Sequence, residues 1–133
     1  MLVATANPAE LAGTHRLSEA LRDRLRVWIP LGYPERSVEL KIIRANLGGY
    51  VLDNGILERI YDIVYATRIR EDMEQPASLR AGISIARLCG QHIRKYGKLT
   101  EADINEYARD VLLGASKPKI PQNAEKIIGE ILK

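Results

Sequence analysis

Asn7 and Arg24 are the residues whose types and spacing best suit chemistry on a nucleotide. The apolar run from Leu2 to Ala6 reads as a short buried strand that stops at the Asn7 amide, just before Pro8. Arg24 follows seventeen residues later, on a short polar helix that Ser18 can N-cap through Arg22 or Asp23. A neutral amide at a strand tip can orient a water without repelling it. A guanidinium can stabilise charge on γ-phosphoryl oxygens through its fork of donors. This layout is common where a nucleotide γ-phosphate is handled. The bland readings are an ordinary turn at Asn7-Pro8 and a solvated arginine, with Arg22 and Arg26 as rivals to Arg24.

Arg80 is the third candidate. It stands two residues after Ser78, the capping residue of a long helix predicted to run to about Lys95. A cation in a first helical turn is slightly unfavourable against the helix dipole. The placement is easier to explain with an anion nearby. Arg87, two turns further on, is a weaker candidate. His15 and His92 are not spaced as a metal pair, and with Cys89 as the single cysteine no zinc site is expected. Cys89 falls on the apolar stripe of its helix and reads as inert core. Trp28 reads as packing, and Glu19 and Asp23 as solvated.

Two catalytic parts are missing. The phosphate-cradling pattern G-x-x-x-x-G-K-[ST] does not occur, and Gly97-Lys98-Leu99 is the only Gly-Lys. No apolar run ends in Asp-Glu to hold magnesium. The chain alone is therefore expected neither to bind ATP tightly nor to hydrolyse it.

The elements that would position these residues begin with two strands, at Leu2 to Ala6 and at Val27-Trp28-Ile29. Pro30 and Gly32 stop the second. From Pro34, which fits a first helical turn, the pattern is helical. Val38, Ile42 and Ile43 repeat at helical spacing up to Gly48-Gly49. Asp53 or Asn54 can cap a second helix with Ile56, Leu57, Ile60, Tyr61 and Val64 on one side. Arg70 to Pro76 reads as a polar loop. The helix after Ser78 carries Leu79, Ile83, Ala86, Cys89 and Ile93 as its inner stripe, and Gly97 closes it. Thr100 with Asp103 resembles a capping box. It opens a helix faced by Ile104, Tyr107, Ala108, Val111 and Leu112. A linker with two prolines, Gly114 to Pro121, precedes a short amphipathic helix carrying Ile127, Ile128, Ile131 and Leu132.

Composition bounds the answer. The 133 residues are 46% hydrophobic with no Phe, so the core is mainly Ile, Leu, Val and Ala. A net charge of +3 is well short of the dense basic stripe of a nucleic-acid binder. The single cysteine fits a reducing compartment. No apolar run approaches the roughly 20 residues that span a bilayer, and the N-terminus does not read as a signal peptide. A cytoplasmic location is expected.

Four separated stretches carry a family resemblance: Ala4-Thr5-Ala6-Asn7-Pro8, Gly13-Thr14, Glu19-Ala20-Leu21-Arg22-Asp23-Arg24-Leu25 and Leu31-Gly32-Tyr33-Pro34. In order and spacing they resemble the second half of a MoxR-type AAA+ ATPase core. Pro76-Ala77-Ser78-Leu79-Arg80-Ala81 and Gly97-Lys98-Leu99-Thr100-Glu101-Ala102-Asp103-Ile104 resemble that family's helical lid. The match runs from residue 2 to about residue 113.

The resemblance implies roles. Asn7 would be the first sensor. Arg24 would be the arginine finger, offered to a neighbouring subunit's nucleotide. Arg80 would be the second sensor, coupling γ-phosphate to lid position. It also implies ATP and Mg2+ in the intact ATPase, and a homo-oligomeric ring, a hexamer. The partner would be a client protein or an adaptor with a von Willebrand factor A domain.

The implied fold is mainly α, a helical lid bundle preceded by two strands left over from the α/β core. Residues 1–33 would be the core remnant, 34–114 the lid, and 115–133 a linker with a short helix. In such a sheet the phosphate-loop strand lies between these two strands. Residues 1 to about 32 are thus expected to be disordered, rearranged or paired with another copy. The lid, at about 80 residues, is marginal but able to fold alone. Two other classes remain: a non-enzymatic helical interaction module and a small helical DNA-binding domain. The acids Glu101, Asp103, Glu106 and Asp110 argue against the last.

Overall fold

The computed structural model describes residues 3, 5, 19–25, 27 and 29–133. The chain divides into two units, Met1–Tyr33 and Pro34–Lys133. In the first, helix α1 spans Glu19–Arg24. No strand is present at Val3, Thr5, Val27 or Ile29, and all four are exposed. The expected strand around Val27 is therefore corrected at its described residues. A strand needs a hydrogen-bonded neighbour, and none is formed there. Trp28 and the rest of the first apolar run lie outside the described residues.

The second unit is mainly helical. Helices α2 (Arg36–Ala45), α3 (Asn54–Arg68), α4 (Leu79–Tyr96), α5 (Glu101–Ala115) and α6 (Ala124–Ile131) build it. A small antiparallel pair joins β1 (Met73–Gln75) to β2 (Lys117–Pro118), with Met73 opposite Pro118 and Gln75 opposite Lys117. Segments read from sequence as a polar loop and a linker thus pair with each other. Their strands are too short for a periodic signal. A 3-10 turn at Pro121–Asn123 leads into α6.

Helix α4 is the central element, packing against α2, α3 and α5, while α6 closes the bundle on α3 and α5. Ile43, Leu57, Ile60, Ile63, Ile85 and Leu112 are fully buried where these helices meet. The buried stripe of α4 is Ala81, Gly82, Ile85, Ala86, Cys89 and Gly90. Leu79, Ile83 and Ile93 pack at its margins. Small residues take the centre because neighbours come close. A Cβ at Gly90 would stand 2.5 Å from Tyr50 Cβ, and one at Gly82 would stand 3.2 Å from Ile43 Cδ1. Burial pushes the Cys89 thiol up to about 11, as befits inert core.

The helix ends follow their local chemistry. Asp53 caps α3 by accepting from the Ile56 amide at 2.9 Å. Gly97 ends α4 in the left-handed region at φ 78°, where a side chain would be strained. Thr100 and Asp103 form a reciprocal capping box at the start of α5. Helix α2 begins at Arg36 after Glu35 as cap, so Pro34 precedes the helix rather than opening it. No helix among the described residues is long and apolar enough to cross a membrane.

Candidate functional site

The strongest candidate site in the helical unit is the first turn of α4. Ser78 holds the N-cap position with extended backbone but without a side-chain capping bond. Arg80 is the second residue of the helix and is exposed. It makes no hydrogen bond, ion pair or ring contact among the described residues. A cation unpaired among the described residues therefore sits where the helix presents its first-turn amides, a combination favourable to an anion.

What lies beneath that turn is more elaborate. The segment entering α4 passes through Ala77, which is fully buried. Its amide donates to Thr67 Oγ1 at 2.9 Å, and the Thr67 hydroxyl donates to the Val64 carbonyl at 2.7 Å. The Ala77 carbonyl accepts from Arg68 Nε at 3.4 Å. Arg68 Nη1 in turn donates to Glu39 Oε1 at 2.7 Å. The Glu39 side chain is 1% exposed and that of Arg68 is 7% exposed. This buried pair ties α2 to α3, and the Ala77 bonds tie both to the start of α4. Desolvating two charges is costly unless they are paired and hydrogen-bonded. Here Arg68 Nη1 and Nε are hydrogen-bonded, to Glu39 and to the Ala77 carbonyl, while Nη2 is buried with no hydrogen bond among the described residues. The consequence of these bonds is a fixed starting point for the helix that carries Arg80.

Sequence reading did not single out Glu39, Thr67 or Arg68. A signal for Glu39 existed: it stands four residues before Ile43 and eight before Leu47, on the buried face of α2. An acid on an apolar helical face demands a partner, but sequence alone did not identify Arg68.

The opposite end of α4 holds a second polar group. His92 Nδ1 lies 2.7 Å from the Tyr107 hydroxyl, and His92 Nε2 lies 3.8 Å from Asp103 Oδ2. Tyr96 packs against the His92 ring with centroids 4.7 Å apart. The Asp103 carboxyl is held below its ordinary range, first by the Thr100 hydroxyl and then by the Thr100 amide. No group of three or more His, Cys, Asp or Glu side chains suited to a metal is present among the described residues.

Of the other predicted site residues, Arg24 ends α1, is exposed and has no partner among the described residues. It belongs to the first unit and Arg80 to the second, so each is described in its own frame. Asn7 lies outside the described residues. Arg87 is engaged structurally: its Nε donates to the Asn46 carbonyl at 2.7 Å and so ties α4 to the end of α2.

No protein-family model matches the chain, and no solved structure matches it. Among curated proteins, 84 residues are 39% identical to the gas vesicle ATPase GvpN of Ancylobacter aquaticus. That stretch is 63% of this chain and 22% of the relative. It is too long for the 33-residue first unit alone, so it must enter the helical unit. The chain is thus similar, over most of its own length, to about a fifth of an ATPase.

Proposed function

We propose that this chain is the sensor-and-lid portion of an AAA+ ATPase of the MoxR type. The intact machine would use ATP and Mg2+ to remodel or mature a partner protein. Similarity to an ATPase carries the reading, and the exposed Arg80 at the head of α4, without a partner among the described residues, supports it. Asn7 would orient the attacking water. Arg24 would reach the γ-phosphate of a neighbouring subunit in a ring and stabilise transition-state charge. Arg80 would sense that γ-phosphate from the lid. The clamp beneath Ala77 would transmit its position to α2 and α3. Glycine-loop and magnesium ligands would come from outside these 133 residues. The partner would be a client or an adaptor with a von Willebrand factor A domain. The named relative makes gas vesicles the first cellular setting to test.

The test is ATPase activity of the full chain mixed with the remainder of the Ancylobacter aquaticus gas vesicle ATPase. Activity should appear only in the mixture. The Arg24→Ala chain should lower it by about 10³ or more, the scale of an arginine finger. Association without any hydrolysis would instead support the helical interaction module.

A further inference from the structure

Helix α4 carries its cations in a row. Arg80, Ser84, Arg87, Gln91 and Arg94 are all exposed. Their spacing alternates between four and three residues. At about 100° per residue they fall within an arc of about 80°. An arginine thus returns every seven residues, about 10 Å apart, with a neutral polar side chain between. Lys95 borders the row, Lys98 continues it just past the helix, and α4 contains no acid. Cations that look scattered in the sequence therefore form one stripe.

The stripe is not neutralised from elsewhere. Arg87 Nε donates to the Asn46 carbonyl at 2.7 Å, which holds the side chain without cancelling its charge. Gln91 and Arg94 make no hydrogen bond or ion pair among the described residues. Lys95 lies over the Tyr96 ring at 4.9 Å, again without an acid. Beside the row, Tyr50, Gln91, Arg94 and Lys95 line an open cleft of about 330 Å³. The cleft exists because Gly90 lets Tyr50 lie against α4. Val51, the next residue, is 86% exposed, so apolar surface continues out of the cleft.

We infer that the α4 face from Arg87 to Lys98 docks an acidic helix of a different protein. One apolar side chain of that helix would sit beside Tyr50. A helix with carboxylates every seven residues repeats at the same interval as the arginines, so successive pairs meet in register. The cleft fixes that register by taking an anchor between two ion pairs. A stripe one helix wide suits a peptide rather than a broad polyanion. Neighbouring α5 carries Glu101, Asp103, Glu106 and Asp110. A membrane or a duplex laid across both helices therefore gains little net attraction. The docking uses neither Arg24 nor Arg80 and does not rest on the ATPase reading. Exposed ion pairs contribute little individually and are screened by salt, so the binding is weak and salt-sensitive.

The test is fluorescence anisotropy of a labelled synthetic peptide with the full chain. The peptide is an Ala-based helix of about three heptads, with Glu recurring every seven residues and one central Leu. It should bind in low salt, and at least tenfold more weakly at roughly 0.5 M salt. Arg94→Glu with Lys95→Glu should weaken binding at least tenfold. Lys119→Glu with Lys126→Glu changes the net charge equally at a distant surface and should leave binding within about twofold. A peptide with Lys in place of Glu should bind the Arg94→Glu, Lys95→Glu chain better than the wild type. No binding at about 1 mM protein would overturn the inference. So would equal binding of a peptide with the same composition scrambled, or undiminished binding by the folded Arg94→Glu, Lys95→Glu chain. Tighter binding of oligo-dT or of phosphatidylserine vesicles would assign the stripe to another polyanion and overturn it. Self-association of the wild type that this double variant abolishes would assign the face to a second copy and equally overturn it.

Discussion

The two ends of α4 are held by different physics. At its N-terminus, Glu39 and Arg68 form an ion pair shut away from water, and Thr67 holds the Ala77 amide. At its C-terminus, Gly97 and the Thr100–Asp103 capping box work at the surface. A buried pair is all or none, since removing one member strands a desolvated charge. A surface cap is worth less and its loss is tolerated. The costly arrangement stands under the turn that carries Arg80. A helix that only had to fold could be anchored by apolar packing there. The rigid end is therefore the one whose position the proposed function uses.

Removing one member of the buried pair breaks this contrast most sharply. Glu39→Gln keeps the shape but leaves Arg68 without its carboxylate. The expected loss is about 3–5 kcal/mol of unfolding free energy by urea titration. A loss under about 1 kcal/mol would place the pair among surface bridges. Thr67→Val preserves volume and removes the acceptor for the Ala77 amide. It should cost about 1–3 kcal/mol. Hydrogen exchange should accelerate at Ala77 and Ala81, and less at Gly97.

The surface end should show its weakness through pH. The Asp103 carboxyl is depressed by bonds made only in the folded state. Its contribution is complete above the unfolded carboxyl value, about pH 4. It is lost as pH falls through the lower folded value. Asp103→Asn should flatten the acid limb of the stability curve and leave stability at pH 7 only slightly reduced. An unchanged acid limb would show that other carboxylates dominate it.

The helical pattern was legible because long amphipathic segments announce themselves. Asp53, Gly97 and the Thr100–Asp103 box are local signals, and the structure realises each of them. What was not legible depends on contacts distant in sequence. Met73–Gln75 and Lys117–Pro118 pair across more than forty residues, and neither has an intrinsic strand pattern. The stripe of α4 is centred on Gly82 and Gly90, which carry no hydrophobic signal but admit Ile43 and Tyr50. Glu39 with Arg68 spans 29 positions. The site followed the same rule. Arg80 could be named from its place after Ser78, whereas the clamp beneath it emerged only from tertiary packing.

The most direct measurement is the ATPase rate of the full chain combined with the remainder of the gas vesicle ATPase, comparing Arg80→Ala with Arg87→Ala. Arg80 has no structural partner among the described residues, so its loss should change stability by no more than about 0.5 kcal/mol. The account predicts that Arg80→Ala lowers kcat at least tenfold, a cost of about 1.4 kcal/mol in the barrier. Arg87→Ala, which loosens only the tie to Asn46, should leave kcat near wild type. Equal rates for Arg80→Ala and the wild-type mixture would contradict the account.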